Sequence, residues 1–414
     1  MADTAIVEYF VSLSSTLVFL TKRGFEKPLV YEIPVTKDYL SKCTGRLIID
    51  FHGLPMGWDN ETSRFEHYKM LLSMNPSVNS LKRLQGIRQQ NLKNSRFRYE
   101  LTYLEELSEI LFPEELKEQI AKCALLYIIP YGPLHSIPFA ALRWSDNEYL
   151  IERFGICYGH STGVLRYCQN KNRKRTHGIE HRPKSLLIAA VAAANDLKPQ
   201  YFEEDGNILA GVFLEQNIHN KVTSLIGTTA AEGRKPASKE LITEFIQEHD
   251  IIHLACHGIF GLDEIEGDSL NSGLMVSDGH NSLSTEQVKS LTKEERAPYM
   301  LMARDIFNLK LSADLVTLRA CSSGRTEIKS GDELIGLTRA FFYAGTPSVI
   351  ASLWNVNQNS SQQLLNEFYR LWLDNNKPLY KWQALRQAQI NMIKTEDYAH
   401  PYHWAPFVLI GDWI

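Results

Sequence analysis

The feature that most constrains the fold is a series of short, almost continuous apolar runs, each stopped by turn residues. Leu125-Leu-Tyr-Ile-Ile129 ends at Pro130-Tyr-Gly-Pro133, and Ser185 to Val191, Ile251 to Ala255, Leu315 to Ala320, Ser348 to Trp354 and Phe407 to Ile410 follow the same form. A run of this length without polar alternation fits a strand buried on both faces. Between these runs lie helix-forming segments at about Ala237 to Gln247, Glu333 to Tyr343, Ser361 to Leu373 and Lys381 to Ile393. Strands alternating with helices predict an α/β fold with a mostly parallel sheet and helices on both faces.

The first 170 residues read as mixed α/β. Val7 to Phe10, Ser15 to Phe19 and Leu29 to Ile33 are expected as short strands. Polar helical sequence is expected from about Leu81 to Ala124, broken near Asn94 and Pro113. The segment Lys171 to Lys184 holds six Lys or Arg and one Glu. It lacks the interleaved aromatics of a single-strand nucleic-acid site and reads as a solvated linker. The expected division is therefore 1–170, a basic linker at 171–184, and 185–414.

A formal charge of −4 gives no global basic field to draw in nucleic acid or an anionic membrane. The N-terminus has no basic segment followed by an apolar run, and the longest apolar stretch, Leu186 to Ala194, is about half a membrane span. Six scattered cysteines without a CxxC pair fit reduced thiols, so a cytoplasmic location is expected. No HExxH, CxxC, EF-hand, Walker or Rossmann pattern is present, so neither metal nor cofactor is expected.

In parallel sheets ligands sit beyond the carboxyl ends of the strands. Two of the apolar runs end in reactive side chains: Asp250-Ile-Ile-His-Leu-Ala-Cys-His257-Gly258 and Ala313-Asp-Leu-Val-Thr-Leu-Arg-Ala-Cys321-Ser-Ser-Gly324. If these strands are parallel neighbours, His257 and Cys321 emerge on one edge of the sheet. A thiol attacks as thiolate, and a neighbouring imidazole can take its proton. The Gly258 N–H could help hold an oxyanion. Cys256 should point to the opposite face from His257, into packing, and His253 lies back inside the strand as a structural residue. Taken alone, Cys321 reads as a small core residue and His257 as a satisfied polar one; the pair on matching strand exits favours chemistry. A rival pattern, Gly159-His-Ser161-Thr-Gly163, matches the nucleophile elbow of serine hydrolases, with His403 downstream, but no Asp stands at a strand end between them.

Six stretches occur in the order seen in CHAT domains: Tyr127 to Leu142, His253 to Gly258, Ala313 to Gly324, Gly336 to Phe341, Ser348 to Trp354 and His400 to Asp412. The chain thus resembles that family of caspase-like cysteine peptidases, related to separase and to the caspase–gingipain clan. The resemblance implies a caspase-like fold with an N-terminal inactive half and a C-terminal catalytic half. It implies His257 as base, Cys321 as nucleophile, and the backbone N–H groups of Gly258 and Cys321 as oxyanion hole. It puts Ser161 between the halves, where the family has no catalytic residue, and His135 in the inactive half.

Substrate is expected to pair along the Ser348 to Trp354 edge, so Ser352, Trp354, Asn355 and Asn357 become candidate substrate contacts. Asp314 and Glu333 are further candidates, although Ser330-x-x-Glu333 also has capping-box spacing and Asp314 could be structural. The family's Trp-Pro-Val-Asp-Asp is Trp354-Asn-Val-Asn-Gln358 here, which weakens the case for a basic P1 residue. Roughly twenty extra residues, His280 to Met300, predict an exposed inserted helix. Members often carry upstream helical repeats, so a separate sensor or regulatory protein is expected as partner beside a protein substrate. Roles in antiviral defence or cell death are implied only by the resemblance, as is the other possibility, a catalytically silent scaffold.

Overall fold

The computed structural model describes residues 3–43, 100–145, 148–175, 185–194, 200–215, 221–230, 235–259, 272–322, 332–354 and 358–414, together with Pro183 and Asp196. The helical expectation over Leu81 to Ala124 is met from residue 100 onward, by helices Glu100–Leu111 and Glu114–Ile120 with Pro113 at the break. The part of it before residue 100, most of the basic linker, Asn355 and Asn357 lie outside the described residues.

The strands are β1 (Thr4–Val11), β2 (Thr16–Lys22), β3 (Leu29–Ile33), β4 (Leu125–Ile129), β5 (Arg143–Ser145), β6 (Glu148–Tyr149), β7 (Gly155–Tyr158), β8 (Ser185–Ala190), β9 (Lys221–Ile226), β10 (Ile251–Ile259), β11 (Gly273–Met275), β12 (Met300–Met302), β13 (Leu315–Ser322), β14 (Ser348–Ser352) and β15 (Phe407–Gly411). β5 and β6 form a small pair, and the other thirteen join one sheet. One parallel block is β9-β8-β10-β13-β14. A second is β15-β7-β4-β1, extended by the antiparallel meander β1-β2-β3. The blocks run in opposite directions and meet at the antiparallel pair β14–β15.

Burial follows position in the sheet. β4, β8, β14 and β15 are buried at every residue, whereas β1 alternates between buried and partly exposed side chains. A strand covered by helices on both faces must be apolar throughout, while one with a wet face can alternate. The runs that looked like doubly buried strands occupy that position.

The meeting of the blocks is pinned by polar groups inside the core. Lys381, at the start of helix Lys381–Ile393, is 2% exposed and donates from Nζ to Ser348 Oγ at 2.9 Å; Ser348 Oγ donates to the Asp412 carbonyl at 2.6 Å. Burial lowers the affinity of the Lys381 ammonium for its proton, and the carboxylates of Asp412 and Asp314 oppose that shift.

Three expectations are corrected. Ser348 to Trp354 is not a free edge, because β14 pairs with β15 over Ser348–Ser352 and with β13 over Val349–Ala351. Asp314 stands just before β13, at the end opposite Cys321. At about 3.3 Å per residue the two are roughly 23 Å apart, and the Asp314 N–H donates to Asp250 O at 2.7 Å. The His280 to Met300 segment is not simply exposed. Its helix Thr285–Ser290, closed by a capping box between Ser284 and Gln287, turns Val288 fully inward. Val288 packs with Ala193, Ile259, Met275, Met300 and Met302 in a small separate core.

Candidate active site

β10 and β13 are parallel neighbours, and their register sets His257 level with Cys321 and Gly258 level with Ser322. The two strand exits therefore share one edge of the sheet. Gly258 is also level with Leu274 of β11, so β10 has a strand on each side at this point. On the other side of β13, pairing with β14 stops at Leu318–Ala351, and the two strands part before Cys321 is reached. This fork at the carboxyl ends of parallel strands is the kind of place where α/β sheets hold ligands.

His257 is held by a residue absent from the sequence-based candidates. Its Nε2 lies 2.8 Å from Asp196 Oδ2, with the two side chains 16% and 20% exposed. β8 runs beside β10 as far as Ala190–Ala255, and the Val191 N–H donates to Ala255 O at 3.0 Å. The chain then turns, with the Asp196 N–H donating to Ala193 O at 3.1 Å. That turn brings the carboxylate back over the end of the neighbouring strand. The same Oδ2 accepts the Ala193 N–H at 2.8 Å. The signal for Asp196 in the sequence is positional: it lies just past the end of an apolar strand, as His257 and Cys321 lie at the ends of theirs.

An ionised carboxylate only accepts hydrogen bonds, so Nε2 carries the proton and the lone pair of the neutral ring falls on Nδ1. Nδ1 is buried and has no hydrogen-bond partner among the described residues. The Phe202 ring packs against the imidazole at 5.4 Å between centroids, and the Arg319 guanidinium lies 5.7 Å from the centroid of the same Phe202 ring. Arg319 is buried on β13 two residues before Cys321, and its Nη2 donates to Gln358 O at 3.2 Å.

The remaining candidates separate from this edge. Trp354 is 2% exposed and its indole N–H donates to Tyr402 O at 3.4 Å, so its side chain is core rather than substrate surface. Ser352 is buried at the end of β14, level with Phe407 of β15. Glu333 is the second residue of helix Asp332–Ala344, while Ser330, its expected capping partner, lies outside the described residues. Ser161 Oγ accepts the Val164 N–H at 3.2 Å and so caps helix Thr162–Arg175. His253 is 1% exposed, with Nδ1 3.3 Å from the Tyr369 hydroxyl, and that hydroxyl lies 2.6 Å from Thr317 Oγ1.

Cys43, Cys123, Cys157, Cys168 and Cys256 are all buried. Burial raises the thiols of Cys123 and Cys157 and pushes Cys168 up to about 12, which keeps them protonated and unreactive near neutral pH. Among the described residues there is no group of three or more His, Cys, Asp or Glu able to hold a metal, and no helix is long and apolar enough to cross a membrane.

The CHAT domain model matches residues 101–412, and the chain belongs to the CHAT domain family. Human tetratricopeptide repeat protein 28 is 26% identical over 309 residues, covering 69% of this chain and 12% of that protein. The mouse protein of the same name is 27% identical over 306 residues, with the same coverage. This chain thus spans about an eighth of the length of these relatives. Among solved structures, the Saccharomyces cerevisiae separase–securin complex aligns with a TM-score of 0.54 at 12% identity, covering 99% of this chain and 30% of the other. The shared fold is the caspase-like α/β fold.

Proposed function

We propose that this chain is a cysteine endopeptidase in which Cys321 is the nucleophile and His257 the base. The observation that carries this reading is the parallel register that puts His257 level with Cys321, at strand ends where the sheet forks. In the proposed reaction the Cys321 thiol gives its proton to His257 Nδ1, and the sulfur forms a bond to the peptide carbonyl carbon. The C–N bond then breaks as His257 returns the proton to the leaving amine. Water, deprotonated by the same imidazole, releases the acid and restores the thiol. The oxyanion is assigned to the backbone N–H groups of Cys321 and Gly258. Substrate is assigned to the fork between β13 and β14, in place of an edge along Ser348 to Trp354. Residues 185–414 supply all of this chemistry, 1–170 act as the inactive half, and a separate protein regulates access.

Wild type and Cys321→Ala, incubated with a peptide library digested from whole-cell protein and read by mass spectrometry, test the reading. Cleavages made by wild type and absent with the variant support it. Cleavages that survive in Cys321→Ala end it.

A second reading is a scaffold that uses the fold to bind a partner without cleaving it. The interior position of β14 favours it, since the expected substrate strand is already paired on both sides. Iodoacetamide labelling separates the two: a Cys321 as unreactive as the buried Cys256 favours the scaffold, and selective alkylation of Cys321 favours the peptidase.

A further inference from the structure

We propose that Asp196 is the positioning residue that fixes the tautomer and orientation of His257, and that the 283–302 segment is the brace that holds Asp196 in place. The inference deepens the peptidase reading and rests on it for its catalytic consequence, though not for its structural one.

Two independent contacts carry it. Asp196 Oδ2 bridges the His257 ring and the Ala193 N–H, both at 2.8 Å, so the carboxylate closes its own turn while it orients the imidazole. The next amide along, that of Ala194, donates to Leu283 O at 3.2 Å, which ties the turn to the inserted segment. The same segment supplies Val288, Met300 and Met302 to the small core that also contains Ala193 and Ile259. Ala193 lies within the Asp196 turn, and Ile259 is two residues past His257. The 283–302 segment therefore packs against the turn that carries Asp196 and against the end of β10, just past His257. Its exposed positions, including Lys289, leave that core untouched.

The physical consequence follows from the imidazole. Which nitrogen holds the proton is set by the hydrogen bond made by the other. With Asp196 present, Nε2–H is fixed and Nδ1 is the basic atom. Without it, the two tautomers compete and the ring is free to rotate. A carboxylate partner also stabilises the imidazolium that forms during proton transfer.

The test uses the full chain, with the His257 ring nitrogens observed by 15N NMR and cleavage of a library-derived peptide measured in parallel. Wild type is expected to show His257 as the Nε2–H tautomer. Asp196→Ala is expected to show mixed tautomers and a kcat about 10²-fold lower with KM little changed. Asp196→Asn keeps an acceptor oxygen, so it should retain the tautomer and lose only part of kcat. Val288→Ser, or the milder Val288→Ala if the serine variant does not fold, should mix the tautomers with His257, Asp196 and Cys321 all intact, while Lys289→Ala should not. A wild-type tautomer in Asp196→Ala overturns the positioning role. A wild-type tautomer in both Val288 variants, with Asp196→Ala mixed, overturns the brace. An Asp196-dependent tautomer in a protein that cleaves nothing sinks the peptidase reading and leaves the positioning role standing.

Discussion

His257 and His160 both stand at the carboxyl ends of parallel strands, and they have opposite fates. His257 lies near the end of β10, is partly exposed and has its Nε2 on a carboxylate. His160 lies just beyond β7, in the block that runs the other way. Its Nε2 is 3.1 Å from Thr338 Oγ1 and its ring stands edge-on to Phe342 at 5.4 Å. Burial pushes its pKa down to about 3, with Arg339 and His135 adding to the shift, so it is neutral throughout the physiological range. A strand exit supplies a location. Chemistry there also needs a carboxylate partner and an opening to solvent.

On the peptidase reading, the largest expected effect breaks the comparison at the His257 edge. His257→Ala should slow peptide cleavage about 10²- to 10⁴-fold, the usual contribution of a general base, whereas His160→Gln should leave the rate unchanged. Equal losses in a steady-state assay would mean that the two edges are not functionally distinct.

The next effect is in stability. His160 binds a proton more weakly in the folded state than in the unfolded one, so between about pH 6.5 and about 3 the unfolded state takes up the proton. The stabilisation is therefore fully present above pH 6.5 and is lost as pH falls through that window. Each pH unit crossed costs about 1.4 kcal/mol, so the full loss is a few kcal/mol. Urea unfolding of wild type and His160→Gln at pH 7.5 and 5 should show wild type losing more; parallel losses would contradict the assignment.

Smaller effects test the residues on either side of His160. A Cβ on Gly159 would run into the Tyr127 ring, so Gly159→Ala should cost about 1–3 kcal/mol in denaturant unfolding. Ser161→Ala removes only a helix cap and should cost about 1 kcal/mol. Wild type should also leave Ser161 unlabelled by a fluorophosphonate, and labelling there would reopen the serine alternative.

Much of this architecture was legible because doubly buried strands are written as unbroken apolar runs. β4, β8, β10, β13, β14 and β15 all announce themselves in that way. β9 does not, because Lys-Val-Thr-Ser-Leu-Ile is half polar and only Leu225 and Ile226 are buried. β11 and β12, at three residues each, are too short to carry a period. The level placement of His257 and Cys321 followed from two matching exits, but Asp196 depended on a turn that hydrogen-bonds to Leu283, about ninety positions later in the chain. The mistaken edge at Ser348 to Trp354 has a related cause: a run of buried residues looks the same whether its strand has one neighbour or two. Trp354 and Asp314 are residue types that suit a binding site, and only the structure shows that both are buried, one just past β14 and the other just before β13.

β15 joins the second block to β14, and it is the last of the described strands to leave the ribosome. Domains fold from the N-terminus as synthesis proceeds. The strands β1, β4 and β7 and the strands β8, β10, β13 and β14 have all been made before residues 407–411 exist to connect them. Until then the described strands of the two blocks have no β15 to link them. A single five-residue strand thus decides when the two blocks can become one continuous sheet.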